Sequence, residues 1–414
     1  MKFEQYIFSE EIKNNLRNLG FKRPTDIQYK SIPPIMRGED VLAVAQTGTG
    51  KTVAFALPVL HRLSTGRRGS KQHSVRCVVM VPTHELAIQV SRVFKELAVG
   101  TSIQIEGIYG GIDQDPQIEH LKRGLDVVVA TPGRLFDLES QGHLSLSAVE
   151  TLILDEADHM LELGFKHDMN QLITRLPPRR QVLFFSATIN KHVKDMAYSL
   201  VHKAVRIQIS PNDPVAKNIN HSVAFIEMDD KRFFLERIIR ENPDSKILVF
   251  VRTKVRAERV MKALERVRLL SQTIHGDKDQ NQRNLVMDQF TSGENKVLIA
   301  TDVSARGIDI PDVDIVINYD IPEETENYVH RVGRTGRGQN KGVAIAFCSP
   351  EEKERLVAIE GFLNKEIVQL DIEKGAYLET VKMSGVEETD WKALMDEADE
   401  LENTQKKKKK KGRK

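Results

Sequence analysis

Short apolar runs rich in β-branched residues recur along the chain and alternate with longer segments whose apolar positions follow a helical spacing. Runs such as Cys77–Val81 (CVVMV) and Leu248–Val251 (LVFV) are apolar at every position. Continuously apolar strands are typical of sheets that helices cover on both faces. The pattern therefore predicts an α/β protein with mostly parallel sheets and right-handed βαβ crossovers.

The predicted strands form two groups, one before residue 210 and one after residue 218. The first group is Val41–Ala45, Val75–Val81, Ile103–Ile108, Asp126–Ala130, Thr151–Leu154, Val182–Phe185 and Val205–Ile209. The second group is Val223–Glu227, Lys246–Val251, Gln272–Ile274, Lys296–Ala300, Asp314–Asn318 and Gly342–Cys348.

Two domains are expected because single hydrophobic cores rarely grow past about 250–300 residues, and the chain has 414. The stretch Ser210–Pro214 holds two prolines between the strand groups and is typical of a linker. We predict a first domain at 1–209, a linker at 210–218, a second domain at 219–370 and a C-terminal extension at 371–414. The extension should be largely disordered, although residues 387–402 could form a short acidic helix.

The composition, 40% hydrophobic and 29% charged, suits a soluble globular protein. No apolar run reaches the roughly 20 residues of a membrane span, and the first ten residues lack a signal-like apolar core. The two cysteines, Cys77 and Cys348, lie in separate strand-like runs and indicate neither a disulfide framework nor a zinc site. We therefore expect a reducing, cytoplasmic compartment and no membrane partner.

The segment Ala45–Thr52 (AQTGTGKT) lies between the first predicted strand and a helical pattern, which is typical of a phosphate-binding loop. Glycines at a strand–helix junction let backbone N–H groups approach phosphate oxygens, and the helix N-terminus adds positive charge. Lys51 would reach the outer phosphates, and Thr52 would ligate Mg²⁺. The common loop pattern has Gly where this chain has Ala45, so the match is imperfect. The predicted nucleotide-binding residues here are Gln46, Thr47, Gly48, Thr49, Gly50, Lys51 and Thr52.

Acidic residues follow the apolar strand Thr151–Leu154, in the order Asp155-Glu156-Ala157-Asp158. A strand that ends in acidic residues is where a phosphate-loop enzyme holds its metal. Asp155 would hold Mg²⁺ through water, and Glu156 could orient and deprotonate the attacking water. The same four letters recur at Asp396–Asp399, without a strand or a phosphate loop beside them, and indicate only a surface charge cluster.

Together with further short motifs in fixed order, these two segments resemble the DEAD-box family of RNA helicases over roughly residues 3–350. The further motifs are GFKRPTDIQ, PTHELA, a Gly-Gly pair, TPGR, SAT, LVFVRT, QNQR, ATDVSARGIDIP and HRVGRTGR. The resemblance implies two tandem RecA-like domains, each a mostly parallel sheet flanked by helices, with ATP and Mg²⁺ as cofactors. It also suggests a small bacterial member acting on ribosomal precursors or in RNA decay.

The resemblance assigns further nucleotide contacts. Gln28 would pair with adenine while an aromatic ring, Phe3 or Phe21, stacks on the base, and Asp309 would hold the ribose side. Ser186 and Thr188 would couple the ATP state to RNA strand separation. His330, Arg334 and Arg337 belong to the arginine-finger motif, whose arginines would reach the γ-phosphate.

The resemblance also assigns RNA contacts, which would be mostly to sugar and phosphate and therefore independent of base sequence. In the first domain they are Pro82, Thr83, His84, Gly111, Thr131, Pro132, Gly133 and Arg134. In the second domain they are Arg252, Thr253, Gly276, Thr301 and Asp302. His84 departs from the family, which usually has Arg there, and a histidine is mostly uncharged at neutral pH. The contact at His84 is therefore open, since its side chain could also point away from RNA.

The function implied is that of an ATP-dependent RNA helicase that disrupts short duplexes or remodels RNA–protein complexes. An ATP-gated RNA clamp with little unwinding needs the same residues and stays open as an alternative. A DNA-directed motor is disfavoured, because the family senses the RNA 2′-hydroxyl.

Acidic and basic residues form two separate blocks at the end of the chain. Gly385–Glu402 holds eight acidic residues and one lysine, and Lys406–Lys414 holds eight basic residues among nine. Such basic runs favour nucleic acid, although a tail that only aids solubility would look the same.

Deleting Lys406–Lys414 should leave RNA-saturated ATP turnover unchanged, raise the RNA concentration needed for half-maximal stimulation and flatten the salt dependence of binding. RNA-stimulated ATPase assays over a series of salt concentrations measure both effects. An unchanged RNA affinity at low salt would support the solubility role.

Overall fold

The fold is that of a computed structural model, which describes residues 2–46, 48–66, 74–209, 215, 218–302, 313–336 and 341–383. The chain divides into two compact units near residue 212. Each unit is built around one parallel seven-stranded sheet. The predicted linker, 210–218, lies almost entirely outside the described residues.

Unit one contains the first seven strands. They are β1 (Val41–Ala45), β2 (Cys77–Met80), β3 (Ile105–Ile108), β4 (Val127–Ala130), β5 (Thr151–Leu154), β6 (Gln181–Ser186) and β7 (Val205–Ile209). Their order in the sheet is β3-β4-β2-β5-β6-β1-β7, and all neighbours are parallel.

Helices connect these strands, and a short 3-10 helix, Phe3–Gln5, precedes them. The helices of unit one are α1 (Glu10–Asn18), α2 (Asp26–Met36), α3 (Lys51–Thr65), α4 (His84–Leu97), α5 (Asp115–Arg123), α6 (Pro132–Ser140), α7 (Ala157–Glu162), α8 (Lys166–Arg175) and α9 (Lys191–Leu200).

The sheet of unit one has a hydrophobic core on each face. Successive strand residues point to opposite faces, so Phe184 and Phe185, both fully buried, belong to different clusters. Val78 and Val79 divide in the same way. Helices α1 to α4 cover one face, and α5, α6, α8 and α9 cover the other. Burial on both faces explains why these strands are apolar at every position.

Unit two contains the other seven strands. They are β8 (Ile219–Phe225), β9 (Ile247–Phe250), β10 (Gln272–Ile274), β11 (Val297–Ala300), β12 (Ile315–Asn318), β13 (Gly342–Cys348) and β14 (Val368–Gln369). Their order is β10-β11-β9-β12-β13-β8-β14, again with parallel neighbours.

The helices of unit two include a short 3-10 helix, Pro350–Glu352. Those described as α-helices are α10 (Lys231–Glu241), α11 (Lys254–Arg266), α12 (Gln280–Ser292), α13 (Thr325–Val332), α14 (Lys353–Leu363) and α15 (Lys374–Met383).

Strand β8 differs most from its prediction, since it covers Ile219–Phe225 rather than Val223–Glu227. Its first half, Ile-Asn-His-Ser, is largely polar, so hydrophobicity gives no signal there. Full pairing with β13 defines the strand instead. The two-residue strand β14 was not predicted, because both of its side chains are exposed.

Helix α15 lies within the segment that we expected to be largely disordered. The ring of Tyr377 packs 4.9 Å from that of Phe234 on α10, and its hydroxyl donates to Asp230 Oδ2 at 2.8 Å. Arg237 Nη1 also donates to Thr380 Oγ1 at 2.7 Å. These contacts dock the start of the C-terminal extension on α10. The predicted acidic helix and the lysine run lie outside the described residues.

Among the described helices, none combines the length and the hydropathy that crossing a membrane would require. Cys77 and Cys348 are both buried free thiols.

Tyr377→Phe should lower the free energy of unfolding of unit two by about 1 kcal/mol, because it removes the hydroxyl that bonds to Asp230 and to the backbone of Glu227 while keeping the ring. Urea unfolding of the full chain measures the change. Leu378→Ala, at an exposed position of the same helix, is the matched control. Equal stability of Tyr377→Phe and wild type would contradict the docking role.

Candidate nucleotide and RNA site

The predicted functional segments lie at the carboxyl ends of the strands, which all meet at one edge of a parallel sheet. In unit one the nucleotide segments follow β5, β6 and β1, which are neighbours. The predicted RNA segments follow β3, β4 and β2, which are also neighbours. The predicted nucleotide segments therefore occupy one half of the edge and the predicted RNA segments the other; below, these are called the nucleotide half and the RNA half, and they adjoin between β2 and β5.

The phosphate loop turns with two left-handed glycines, Gly48 at φ +79° and Gly50 at φ +90°, and α3 begins immediately after at Lys51. L-residues with side chains rarely adopt such angles, so the glycines make the turn possible. Lys51 is only 7% exposed, and its Nζ has no hydrogen-bond partner among the described residues. A buried ammonium without hydrogen bonds is costly, and phosphate oxygens would satisfy it. Thr47 lies outside the described residues.

Gln28 is tied to this loop. Its side chain is 2% exposed, its Oε1 accepts from Thr25 N at 2.9 Å, and its Nε2 donates to Gly50 O at 3.1 Å. Thr25 Oγ1 donates to Thr49 O at 2.8 Å. A Cβ at Gly50 would lie 2.5 Å from Gln28 Nε2, so this close approach requires glycine. In the hydrogen bonds of the described residues, one N–H and one lone pair of this carboxamide are unused.

The two candidate aromatic rings lie together. Phe3 meets Phe21 edge-to-face at 6.3 Å, and both line a cavity of about 390 Å³. Phe3 is buried, whereas Phe21 is partly exposed. Lys22 and Arg23 also line the cavity. Of the two rings, Phe21 is the more accessible to a ligand.

The acidic segment after β5 has a buried carboxylate at its start. Burial raises the pKa of Asp155 to about 7, against the opposing effect of Lys51, and the negative charges of Glu156 and Asp158 add to the rise. A carboxylate whose ionised form is this unfavourable would be stabilised by a bound cation. Among the described residues, no group of three or more His, Cys, Asp or Glu side chains is arranged to hold a metal ion. A magnesium ion bound mainly by phosphates and water needs only one or two protein ligands.

Glu156 adopts a left-handed conformation, with φ +52°, at the start of α7. Non-glycine residues in this region are uncommon and often lie in functional sites. Its Oε2 lies 3.6 Å from Nδ1 of the buried His159.

Asp158 joins the acidic segment to the SAT segment, a link that the sequence analysis missed. Its Oδ2 accepts from Ala187 N at 3.1 Å, from Thr188 N at 2.9 Å and from Thr188 Oγ1 at 3.1 Å. Ser186 Oγ donates to Thr188 O at 2.7 Å. Asp158 therefore helps to hold the segment that follows β6 in place. The presence of a second aspartate in the acidic segment could have suggested that Asp158 has a partner of its own, but the sequence does not identify that partner.

The RNA half of unit one contains two helix N-termini. Thr83 caps α4 by accepting from Leu86 N at 3.3 Å, and Thr131 precedes α6. The ring of His84 lies 5.9 Å from that of Tyr109, beside the glycine pair, in which Gly111 has φ +76°. Helix N-termini and turns of this kind present N–H groups to anions.

Arg134 bridges the predicted RNA segments of unit one. Its Nη2 donates to Ile112 O at 3.0 Å, so the TPGR segment supports the loop that carries Gly111. Pro132 and Gly133 form the first turn of α6, and a Cβ at Gly133 would meet nothing within 4 Å. A ligand can therefore approach the backbone of this turn.

In unit two the predicted RNA residues follow β9, β10 and β11, which are neighbours in the sheet. Thr253 caps α11 by accepting from Arg256 N at 3.2 Å. Asp302 binds Arg331 in a two-pronged ion pair, with distances of 2.5 and 2.8 Å. Arg331 lies in the HRVGRTGR segment but was not among the predicted site residues. Gly276 and Thr301 lie at the ends of β10 and β11.

The arginine-finger segment is only partly described. His330 lies on α13, and the buried Arg334 follows that helix and donates from Nε to His330 O at 3.2 Å. Arg337 and Asp309 lie outside the described residues, as does most of the ATDVSARGIDIP segment.

Comparisons with known proteins agree with this arrangement. The DEAD/DEAH box helicase family model matches residues 25–196, and the helicase conserved C-terminal domain matches residues 230–339. The ATP-dependent RNA helicase RhlB of Shewanella sp. strain W3-18-1 is 40% identical over 388 residues, which cover 92% of this chain and 88% of that protein.

Two solved structures share the fold. Dbp5 of S. cerevisiae, bound to RNA and ADP–BeF3, aligns with a TM-score of 0.82 and 29% identity over 92% of this chain and 98% of its own. Mss116, bound to single-stranded RNA and UDP–BeF, aligns with a TM-score of 0.80 and 27% identity. The alignment covers 93% of this chain and 82% of the Mss116 chain.

The chain belongs to the DEAD-box family of ATP-dependent RNA helicases. The resemblance inferred from the motifs and the fold of two tandem RecA-like domains are thereby confirmed. The prediction of an ATP-dependent RNA helicase is confirmed at the level of the family, whereas the roles of individual residues stay predictions.

Gln28→Ala should raise the KM for ATP by roughly tenfold, because it removes an adenine partner and also the bond that holds the phosphate loop. Initial-rate ATPase assays at saturating RNA measure the change, and Gln141→Ala, at an exposed position of unit one, is the control. Wild-type protein that hydrolysed GTP as well as ATP would contradict the adenine role.

Proposed function

We propose that this protein binds RNA through its sugar–phosphate backbone and uses ATP binding and hydrolysis to disrupt short duplexes or to remodel RNA–protein complexes. The observation that carries the proposal is the division of the carboxyl edge in unit one. The predicted nucleotide and RNA segments follow neighbouring strands, so a change at one set would reach the other over a short distance.

ATP hydrolysis is proposed to occur beside Lys51 and Glu156. Lys51 would neutralise the outer phosphates, and Glu156 would orient the attacking water and accept its proton. The arginine-finger residues His330, Arg334 and Arg337 belong to the second unit, so we expect hydrolysis to need both units. Charge that develops on the transferred phosphoryl group would be stabilised by fixed cations rather than by water.

Thr52 and Asp155 would hold Mg²⁺. The ion would supply positive charge to the β- and γ-phosphates when bound. The raised pKa of Asp155 supports this assignment, because burial makes its ionised form unfavourable unless a cation lies nearby.

Asp158 is proposed to couple the acidic segment after β5 to the SAT segment after β6. Because it accepts three hydrogen bonds from Ala187 and Thr188, a shift of the acidic segment on ATP binding or hydrolysis would move the SAT segment. Ser186 and Thr188 would thereby influence RNA strand separation.

RNA binding is proposed to depend on backbone N–H groups at the starts of α4 and α6, on the glycine turn at Gly111, and on Arg252, Thr253, Gly276, Thr301 and Asp302 in unit two. Such contacts read phosphate and sugar rather than base identity. Asp302 would act through Arg331, since its carboxylate is already paired.

The cellular substrate is proposed to be structured RNA in the cytoplasm, with ribosomal precursors or RNA-decay intermediates as candidates. The two reduced cysteines support a reducing compartment. An ATP-gated clamp is the second candidate function, and measured strand separation distinguishes it from a helicase.

Glu156→Gln should retain ATP and RNA binding but reduce RNA-stimulated turnover by about 10²–10⁴-fold, the range expected for loss of a positioned base. ATPase assays with RNA and with DNA of the same sequence, together with strand separation of a short duplex, test the proposal. Glu162→Gln, at the end of the same helix, is the control.

Near-normal turnover of Glu156→Gln would remove this residue from the mechanism. Equal stimulation by DNA and RNA would contradict an RNA-specific motor. ATP-dependent RNA retention without strand separation would favour the clamp.

His84→Arg should tighten RNA binding at neutral pH and steepen the dependence of log affinity on log salt by up to about one phosphate contact. The added charge would lie at the start of α4 beside Tyr109. Fluorescence anisotropy with labelled single-stranded RNA measures both quantities. His143→Arg adds the same charge at an exposed histidine of unit one and is the control. Equal affinity and salt slope for wild type, His84→Ala and His84→Arg would indicate that this side chain does not face RNA.

A further inference from the structure

A buried carboxylate lies in unit two outside every motif that the sequence analysis identified. Glu352 ends the 3-10 helix Pro350–Glu352 and is only 1% exposed. A carboxylate at such a depth is stable only if it is paired and hydrogen-bonded. Its donors come from four different segments, so it connects parts of the unit that are distant in sequence.

The two oxygens of Glu352 have different partners. Oε2 accepts from Lys231 Nζ at 2.5 Å and from the backbone N and the Oγ of Ser349, both at 3.2 Å. Oε1 accepts from Ile321 N at 3.1 Å and from Arg252 Nη2 at 2.8 Å. The bonds to Oε2 and the one from Ile321 fix the carboxylate plane. Oε1 is thereby held in a constant position against the guanidinium of Arg252.

Arg252 is the partner with an accessible surface. It directly follows Val251 beyond the end of β9, its side chain is 31% exposed, and its backbone N donates to Asp320 Oδ2 at 2.9 Å. Glu352 uses Nη2, so the guanidinium is anchored on one side while part of it reaches solvent. An anchored guanidinium loses less rotamer freedom on binding a phosphate.

Because Lys231 is also present, the pairing of Arg252 with Glu352 does not remove the positive charge of this site. A lone Glu–Arg pair is neutral, but Lys231, Arg252 and Glu352 together are two cations and one anion, a net charge of +1. Lys231 is fully buried and also donates to Tyr319 O at 2.8 Å. Its ammonium is therefore a fixed internal counter-charge rather than a surface contact.

We propose that Glu352 is a positioning residue for RNA binding: held by Lys231 and Ser349, it fixes the guanidinium of Arg252 in the orientation that binds an RNA phosphate. The inference rests on the proposed RNA contact of Arg252 and deepens it. Glu352 itself touches neither RNA nor nucleotide.

Removing the charge of the Glu352 carboxylate tests whether it acts by positioning Arg252 or by changing the electrostatic attraction for RNA. Glu352→Gln raises the local charge by one, so simple attraction would tighten RNA binding, whereas loss of positioning should weaken it by about tenfold. Glu323→Gln is the matched control, because the exposed Glu323 lies 3.9 Å from Arg252 Nε and its loss adds the same charge without releasing the anchor. It should bind RNA as tightly as wild type or more tightly.

Glu352→Gln leaves Lys231 buried without its anion, which could destabilise the fold. The double variant Lys231→Met/Glu352→Gln removes both charges, keeps similar volumes and restores the net charge of wild type. It should fold with a cooperative thermal transition and still bind RNA about tenfold more weakly. Turnover at saturating RNA should stay within about twofold of wild type, since a positioning role affects the RNA concentration needed and not the chemical step.

Whether Glu352 acts through Arg252 is tested by the affinity for single-stranded RNA. Fluorescence anisotropy in the presence of a non-hydrolysable ATP analogue measures this affinity. In an Arg252→Ala background, Glu352→Gln should add no further loss, because the two changes remove one contact. A folded double variant with wild-type RNA affinity would overturn the proposal, as would additive losses in the Arg252→Ala background.

Wild-type RNA affinity in Arg252→Ala alone would remove the contact on which the inference rests. That outcome would leave the general function intact, because RNA-stimulated turnover of wild type tests it separately.

Discussion

The parallel direction of every strand pair constrains the rest of this protein. Since all strands of a sheet run the same way, their carboxyl ends share one edge, and the loops that follow them must lie side by side there. This brings together segments that are more than 100 residues apart, such as the phosphate loop after β1 and the acidic segment after β5. No long loop is needed to join them. Helices bury both faces of each sheet. This burial supplies the hydrophobic stabilisation of the parallel strands.

Hydrogen bonds between motifs are as important as the motifs themselves. Gln28 holds the phosphate loop through Gly50, Asp158 holds the SAT segment, and Asp302 is paired with Arg331. In each case one motif uses part of its hydrogen-bonding capacity to orient another. A substitution in one motif is therefore expected to change the geometry of its partner, and its effect on activity is not a measure of direct ligand contact alone.

Buried charge serves different purposes in the two units. In unit one, Lys51 and Asp155 are buried beside the phosphate loop; Nζ of Lys51 has no hydrogen bond within the described part of the chain, and the pKa of Asp155 is raised. Both features are unfavourable in the isolated protein, and the proposed nucleotide and cation would relieve them. In unit two, the carboxylate of Glu352 is fully hydrogen-bonded and paired with two cations. Because its buried charges are paired and hydrogen-bonded, this network suits a role in holding a side chain still.

The sequence by itself determined the fold class, most strand positions and the family. Continuous apolar runs separated by helical periods predict parallel sheets, and glycine-rich or acidic segments directly after strands predict ligand contacts. These signals are local, so they can be read from neighbouring residues. Strand β8 was misplaced because its first half is polar, and its extent depends on pairing with β13.

Only the tertiary structure decided which strands are neighbours, and therefore that the predicted nucleotide and RNA segments lie on separate halves of one edge. It also decided the partners of Gln28, Asp158 and Asp302, the docking of α15 by Tyr377, and the role of Glu352 as a shared acceptor for Lys231 and Arg252. Apart from the capping-box bond between Thr25 and Gln28, the donors and acceptors in these contacts lie between 22 and 147 residues apart. No periodicity or motif encodes such distances, because chain crossovers and packing alone bring the atoms together.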